Sequence, residues 1–462
     1  VVAVMAAPLL MVLADYRIGV VALTIVLPWA NSPLLPRAQG LNVVTYLVLL
    51  SLVSLVVPKL FKRQSIVGLP RPVLWLYLLP VCIGMVVAWP HIPEGAFNLA
   101  GSEIAASYTQ TEFLKIRFLK PMGWVIYALL LANAVRDSQR PERWLAAFAA
   151  SSLLPVAVVF TGVAMFGGDL SALQARRGFL SSFGMHANDF GFLLMTECVP
   201  LLFVMAAAKG VARAAWAAVL ALTVTALVLT FSRGAWLGFF VALMVFVVHR
   251  RQVRAALILV PLIAIAAAFA PQAVTDRLMT GFGEGRDSLL HSQRDELSAG
   301  RVASWNLLAP EVLRSPIVGR GIGSTAWSTA VRDRLYQAAH PHNLFLAIVM
   351  DLGLVGLLAL GVLYLTYLRA FRRLAADEAL TPPVRAFFAG AGATVVGILA
   401  MGMTNGDFMP SGQQTFYWFS LGMLFAYWRR AQQPRPATAA AQPVAQPGRN
   451  ARARIAANVD RW

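Results

Sequence analysis

The stretch NLFLAIVMDLGLVGLLALGVLYLTYL, residues 343–368, carries a single charged side chain, Asp351. As a helix rising about 1.5 Å per residue it would reach about 39 Å, more than the hydrocarbon core of a bilayer. The stretch therefore reads as a membrane span. Directly after it come Arg369, Arg372 and Arg373, and directly before it His340-Pro341-His342. Cytoplasmic loops carry the excess of Lys and Arg, so the arginine end faces the cytoplasm and the histidine end faces the opposite side.

The whole chain has this character. Its 462 residues are 58% apolar and 13% charged, with a mean hydropathy of +0.67. A soluble domain carries about twice that share of charge. Thirteen apolar runs lie between residues 1 and 428, and several are short for a span. With the first thirty residues divided once too often, the expected fold is all-α and polytopic, with about 12 transmembrane helices. The opening run lacks the basic start and small-residue cleavage site of a removable signal peptide. Four regions are expected: N-terminal transmembrane helices over 1–270, a long outer loop folded as a small helical cap over 271–342, C-terminal transmembrane helices over 343–428, and a disordered basic cytoplasmic tail over 429–462. A large soluble catalytic domain is excluded.

Lys and Arg outnumber Asp and Glu by 39 to 21, a surplus that would point to nucleic acid if it formed one patch on a polar body. Instead, much of it falls in short clusters between apolar runs, at Lys59, Lys62 and Arg63, at Arg136, Arg140 and Arg143, at Lys209 and Arg213, and at Arg250, Arg251 and Arg254. These are topology signals for cytoplasmic loops, so no nucleic-acid partner is expected. Cys82 and Cys198 both lie in apolar stretches, which argues against a disulfide framework or a thiolate metal site.

The face opposite these loops is left with residues 31–40, 90–121, 167–189, the turn Ser232 to Gly234, 271–342 and 404–414. Here the positive-inside rule predicts few cations, yet the sequence places Lys115, Arg117, Lys120, Arg176, Arg177, Arg233, Arg286, Arg294, Arg301, Arg314 and Arg320 on it. Arg233, in Thr230-Phe231-Ser232-Arg233-Gly234-Ala235-Trp236, has no acidic neighbour in sequence and lies between two apolar runs. Such a guanidinium either snorkels to headgroups, pairs with a distant carboxylate, or binds an anion through its planar fork of donors. Arg301, near helical phasing at Trp305, Leu308 and Val312, either decorates a solvated helix or joins that anion site. Arg176 and Arg177 are open to the same two readings.

His342 falls just ahead of a helix N-terminus. The helix dipole and the nearby arginines would both disfavour a second positive charge, so its imidazole should be neutral and able to take a proton. The alternative is that His342 or Asn343 only caps the helix. His340 and His342, two apart around a proline and without an acidic pair, are a poor metal motif. Gly319, Gly321 and Gly323 form a weak phosphate-cradle pattern, with neither a preceding strand nor a following Lys-Ser/Thr pair. Asp189, Glu197 and Asp351, the nearest intramembrane carboxylates, form no evident proton relay.

Taken together, Ser232-Arg233-Gly234-Ala235-Trp236-Leu237-Gly238, Gly300-Arg301 with Trp305, Pro316 to Gly323, and His342-Asn343-Leu344 with Gly353 and Gly356 resemble the O-antigen ligase and polymerase superfamily in order and spacing, over roughly residues 170–410. The resemblance implies a bacterial inner-membrane glycosyltransferase with its site facing the periplasm. Its donor would be an O-antigen carried on undecaprenyl pyrophosphate and its acceptor the lipid A-core oligosaccharide, with neither a metal nor another cofactor nor a nucleotide sugar. It also implies that Arg233 and Arg301 bind the donor pyrophosphate and that His342 stands beside the reacting hydroxyl. Arg177 is placed with the pyrophosphate residues by a looser match, since Ala187 precedes Asn188 where the family often has proline.

The chemistry agrees with those roles. Sugar transfer from a pyrophosphate carrier must stabilise charge on the leaving group and deprotonate an attacking hydroxyl. Arginines meet the first need, a neutral histidine the second. With one base and no paired-carboxylate nucleophile, the anomeric configuration is expected to invert. A polymerase or a protein O-oligosaccharyltransferase of the same superfamily differs only in its acceptor. A flippase or porter for lipid-linked glycans would use the same arginines to line a path.

Overall fold

The computed structural model describes residues 10–38, 41–100, 105–249, 271–279 and 301–433. Within them the regular structure is helical apart from a two-residue antiparallel bridge between Arg37–Ala38 and Leu41–Asn42. The main helices are α1 (Tyr16–Val26), α2 (Val43–Phe61), α3 (Arg71–Asn98), α4 (Gln110–Arg136), α5 (Arg143–Met165), α6 (Ala187–Ala207), α7 (Gly210–Leu229), α8 (Arg233–His249), α9 (Gln272–Met279), α10 (Arg301–Arg314), α11 (Leu344–Ala375), α12 (Pro382–Gly402) and α13 (Thr415–Ala426). Eight of these, α2 to α7 with α11 and α12, are long and apolar enough to cross a membrane, and α1 and α8 are shorter apolar helices. The protein is a multi-pass, all-α membrane protein.

Some expected boundaries move. Residues 90–121, expected as a loop, are largely helical: they lengthen α3 at its end and α4 at its start, with a π-helical turn at Lys115–Leu119 inside α4. The expected run at 255–270, most of the opening run and the tail from residue 434 lie outside the described residues. So does 280–300 of the proposed cap; its described parts are α9, α10 and short turns at Ser324–Trp327 and Thr329–Arg332.

Helix α6 lies at the centre, packed against α12, α7 and α8, while α7 is largely exposed along its apolar length. Without a hydrophobic drive between helices in lipid, close approach depends on small residues. At the α8–α12 crossing Gly238 and Gly397 face each other, and a Cβ on either would come within 2.8 and 2.7 Å of the other's carbonyl oxygen. One turn earlier in α8, a Cβ on Gly234 would lie 2.5 Å from Thr404 Oγ1. This crossing brings the start of α8, with Arg233, against the loop that follows α12.

A second feature sets the position of the segment before α11. Gly353 interrupts α11 with φ +67° and ψ −168°. A helix broken inside a membrane must satisfy the freed backbone groups within the protein. Residues 315–324 do so. Leu354 and Val355 N–H donate to Pro316 and Ile317 carbonyls at 2.9 and 3.1 Å, and Arg320 and Gly321 N–H donate to Met350 and Asp351 carbonyls at 2.8 and 3.0 Å. The Asp351 carboxylate accepts from Gly323 N–H, Ser324 N–H and Ser324 Oγ at 3.0, 3.0 and 2.6 Å. The glycine run is thus a plug in the helix break: the Gly321 and Gly323 amides are committed to Asp351 of α11 and the Gly319 amide to Ser315 O, rather than open to phosphate. Asp351 is the latch of that plug, not part of a proton path.

Because a Cβ on Gly353 would stand 2.2 Å from Ile317 O, Gly353→Ala is expected to displace the plug and leave little folded protein after detergent extraction. Asp351→Ala strands two amides at about 1–3 kcal/mol each and should be the milder change. Size-exclusion profiles of the two variants test this; a parental profile for Gly353→Ala would mean that the loop does not occupy the break.

Candidate active site

Six segments converge on one cavity of about 540 Å³, and Arg177, Asn188, Arg233, Arg277, Arg301, Tyr336, His342 and Asn405 are among its lining residues. Among the described residues no carboxylate lines it. All four residues singled out from the sequence, His342, Arg233, Arg301 and Arg177, stand on its wall.

The arginines are placed by separate devices. The turn between α7 and α8 puts Phe231 at φ +53° with its side chain fully buried against Leu173, Ala273 and Val274. Its carbonyl oxygen accepts from Arg177 Nη1 at 3.0 Å and from Arg277 Nε at 3.2 Å. One fixed oxygen therefore aligns two guanidiniums from distant parts of the chain. Arg233 opens α8 and Arg301 opens α10. Helix α10 is held by Glu311, which is 3% exposed, accepts from Thr329 N–H at 2.9 Å and Arg314 at 3.2 Å, and forms an ion pair with Arg320.

These contacts sort the unexpected cations. Lys115 pairs with Glu112 at 3.0 Å, Arg117 lies 3.8 Å from Asp407, and Arg314 and Arg320 share Glu311. Arg176 sits over the Phe166 ring, while Arg286 and Arg294 lie outside the described residues. At the cavity, Arg177, Arg233, Arg277 and Arg301 form a cluster of like charges. Burial lowers the pKa of Arg177 and Arg301, and neighbouring arginines lower each further. Arg277 is brought down to about 10, by burial first and then by Arg177, Arg233 and Arg301. All stay cationic at neutral pH, so the cavity favours an anion.

His342 has φ +52°. Asn343, not His342, caps α11, its Oδ1 accepting from Phe345 and Leu346 N–H at 2.9 and 3.0 Å. Trp305 Nε1 donates to Pro341 O at 3.0 Å, tying the His342 turn to the helix that carries Arg301. The His342 pKa falls to about 4, through burial first, then His340 and Arg301, against a raising hydrogen bond with Asn405. Its direction is the one expected; the leading cause is burial rather than the dipole. His186 has a different task, capping α6 by accepting the Asn188 N–H at 3.3 Å in a reciprocal box with Asp189.

Sequence reasoning missed Arg277, Tyr336 and Asn405. Arg277 had a readable signal, being three and four residues past Val274 and Ala273 on the buried side of a short amphipathic helix. Tyr336 and Asn405 lie in irregular segments and had none. Among the described residues no group of three or more His, Cys, Asp or Glu side chains could hold a metal ion.

No curated protein matches the chain. A family model described as O-antigen ligase matches residues 218–361, the interval that holds Arg233, Arg277, Arg301, His342 and the broken helix α11. Over that interval the chain is similar to the O-antigen ligase family.

Proposed function

We propose that the protein is an O-antigen ligase of the bacterial inner membrane, transferring polysaccharide from undecaprenyl pyrophosphate to the lipid A-core oligosaccharide at the periplasmic face. The observation that carries this reading is the convergence of Arg177, Arg233, Arg277, Arg301 and His342 on one cavity to which no carboxylate contributes among the described residues. In the proposed step the acceptor hydroxyl oxygen bonds to the anomeric carbon and its proton passes to His342. The bond from that carbon to the phosphate oxygen breaks, and undecaprenyl pyrophosphate leaves with its new charge held by the arginines. Direct displacement inverts the anomeric centre. Fixed arginines supply the charge that a divalent cation would otherwise bring, in a site where screening is weaker than in water.

Purified protein given lipid-linked O-antigen and lipid A-core in detergent is expected to form the new glycosidic bond with EDTA present, read by gel mobility and mass. Bond formation only between carrier-linked repeats would make it a polymerase; no bond, with transport between two compartments, would make it a porter. Sidedness is tested separately. In a Cys82→Ser, Cys198→Ser background, Leu335→Cys, exposed at the cavity, should react with an impermeant thiol reagent in spheroplasts. Arg213→Cys should react only after permeabilisation. The reverse pattern would place the cavity in the cytosol and end the proposal.

A further inference from the structure

His340 is not part of the cavity wall, but it touches the residue that the proposed reaction depends on. The ring centroids of His340 and His342 are 3.9 Å apart, with 58° between the planes. His340 Nδ1 accepts the main-chain N–H of His342 at 3.4 Å. That bond closes on a residue whose φ of +52° is uncommon for any side chain larger than glycine's. Such a conformation persists only where the surroundings over-determine it. Two further bonds flank the turn, Tyr336 OH to His340 O at 2.6 Å and Trp305 Nε1 to Pro341 O at 3.0 Å. Neither reaches the His342 amide itself.

We propose that His340 is a positioning residue for His342, its Nδ1 holding the His342 main chain in the left-handed turn that sets the second imidazole in the wall of the arginine-lined cavity. This rests on the reading of that cavity as a transfer site. The bond requires Nδ1 without a proton, so His340 is neutral with its hydrogen on Nε2. The charged and polar groups around the pair agree. Arg117 from α4 and Arg301 from α10 face His340, and Arg301, His186 and Asn405 face His342. Asp407, the nearest carboxylate to Arg117, stands 3.8 Å from that guanidinium. Protonating His340 would turn its acceptor into a donor, abolish the bond to the turn and set a new cation against Arg117 and Arg301.

The test uses the full-length protein in detergent with the transfer assay above. His340→Ala is expected to lower the rate at saturating donor by about ten-fold, since small displacements of a reacting group are costly, with the donor KM little changed. His340→Asn, whose side-chain oxygen falls near the position of Nδ1, should recover most of that loss. In both variants the acid limb of the pH profile moves to higher pH. Diethyl pyrocarbonate, which reacts with unprotonated imidazole, gives a readout free of turnover: the half-point of His342 labelling, followed by mass spectrometry, shifts the same way. Parental rate and labelling in His340→Ala would overturn the proposal, as would an Asn variant no better than Ala. If Ala fails to fold, Asn is compared with Gln, whose oxygen falls nearer Nε2; equal activity of the two overturns it. If the parent protein transfers to no acceptor, the functional reading falls, while the labelling shift still decides the positioning role.

Discussion

A His342→Ala variant is expected to transfer glycan about 100- to 10,000-fold more slowly than the parent, the range that a positioned general base contributes. Helix α11 should still form, because Asn343 supplies its cap through the two bonds to Phe345 and Leu346 N–H, and protein level and membrane insertion should match the parent. His342 Nδ1 is buried and has no hydrogen-bond partner among the described residues, so no bond within them competes for its lone pair. The sign of the pH dependence follows from the lowered pKa. A free histidine is half protonated near pH 6.5, but His342 titrates at about 4. The base is therefore uncharged throughout the neutral range, and activity should stay level down to about pH 5 and fall as pH drops through about 4. A near-parental rate in His342→Ala, or an acid limb centred near pH 6.5, would remove His342 from the chemistry.

Much of this was legible in the sequence, for physical reasons that differ from residue to residue. The spans were legible because a bilayer imposes a length and an apolar composition on any helix that crosses it, as in α2 and α11. The site arginines were legible because cations where few are expected need a reason; Arg177, Arg233 and Arg301 indeed reach one cavity. The same argument could not separate them from Arg314 and Arg320, since the partner of both, Glu311, lies on α10 and its burial depends on tertiary packing. Arg277 went unnoticed because its significance comes from Phe231 O, 46 residues away in sequence. Residues 315–323 read as part of the outer cap with a weak phosphate-cradle pattern, because glycine and proline announce an irregular backbone without saying what it packs against. Only the break at Gly353, which the periodicity of an all-apolar helix conceals, gives that backbone a place inside the bundle.

The arginine cluster makes the other large prediction, and Arg301 and Arg277 are its clearest members. Arg301→Lys keeps a positive charge but loses the planar fork, and should cost more than ten-fold in kcat/KM; Arg301→Gln should cost about 100- to 1,000-fold, the loss seen on removing one donor to a developing anion. Part of this should appear in the donor KM, because the pyrophosphate is anionic before transfer, and part in kcat, because the leaving group gains charge as the bond breaks. Arg277→Gln should behave alike, although Arg277 stands in none of the motifs that carry the sequence resemblance. Stability should move in the opposite direction. Arg177, Arg233 and Arg301 all push the Arg277 pKa down, so removing one cation from the empty cavity relieves repulsion, against the loss of a single hydrogen bond to Phe231 O at 3.2 Å. The expected result is a melting temperature equal to or above the parent's in the same variant that transfers poorly. A variant that loses both stability and transfer would show Arg277 to be a structural brace, while parental transfer would show it to be a bystander at the wall.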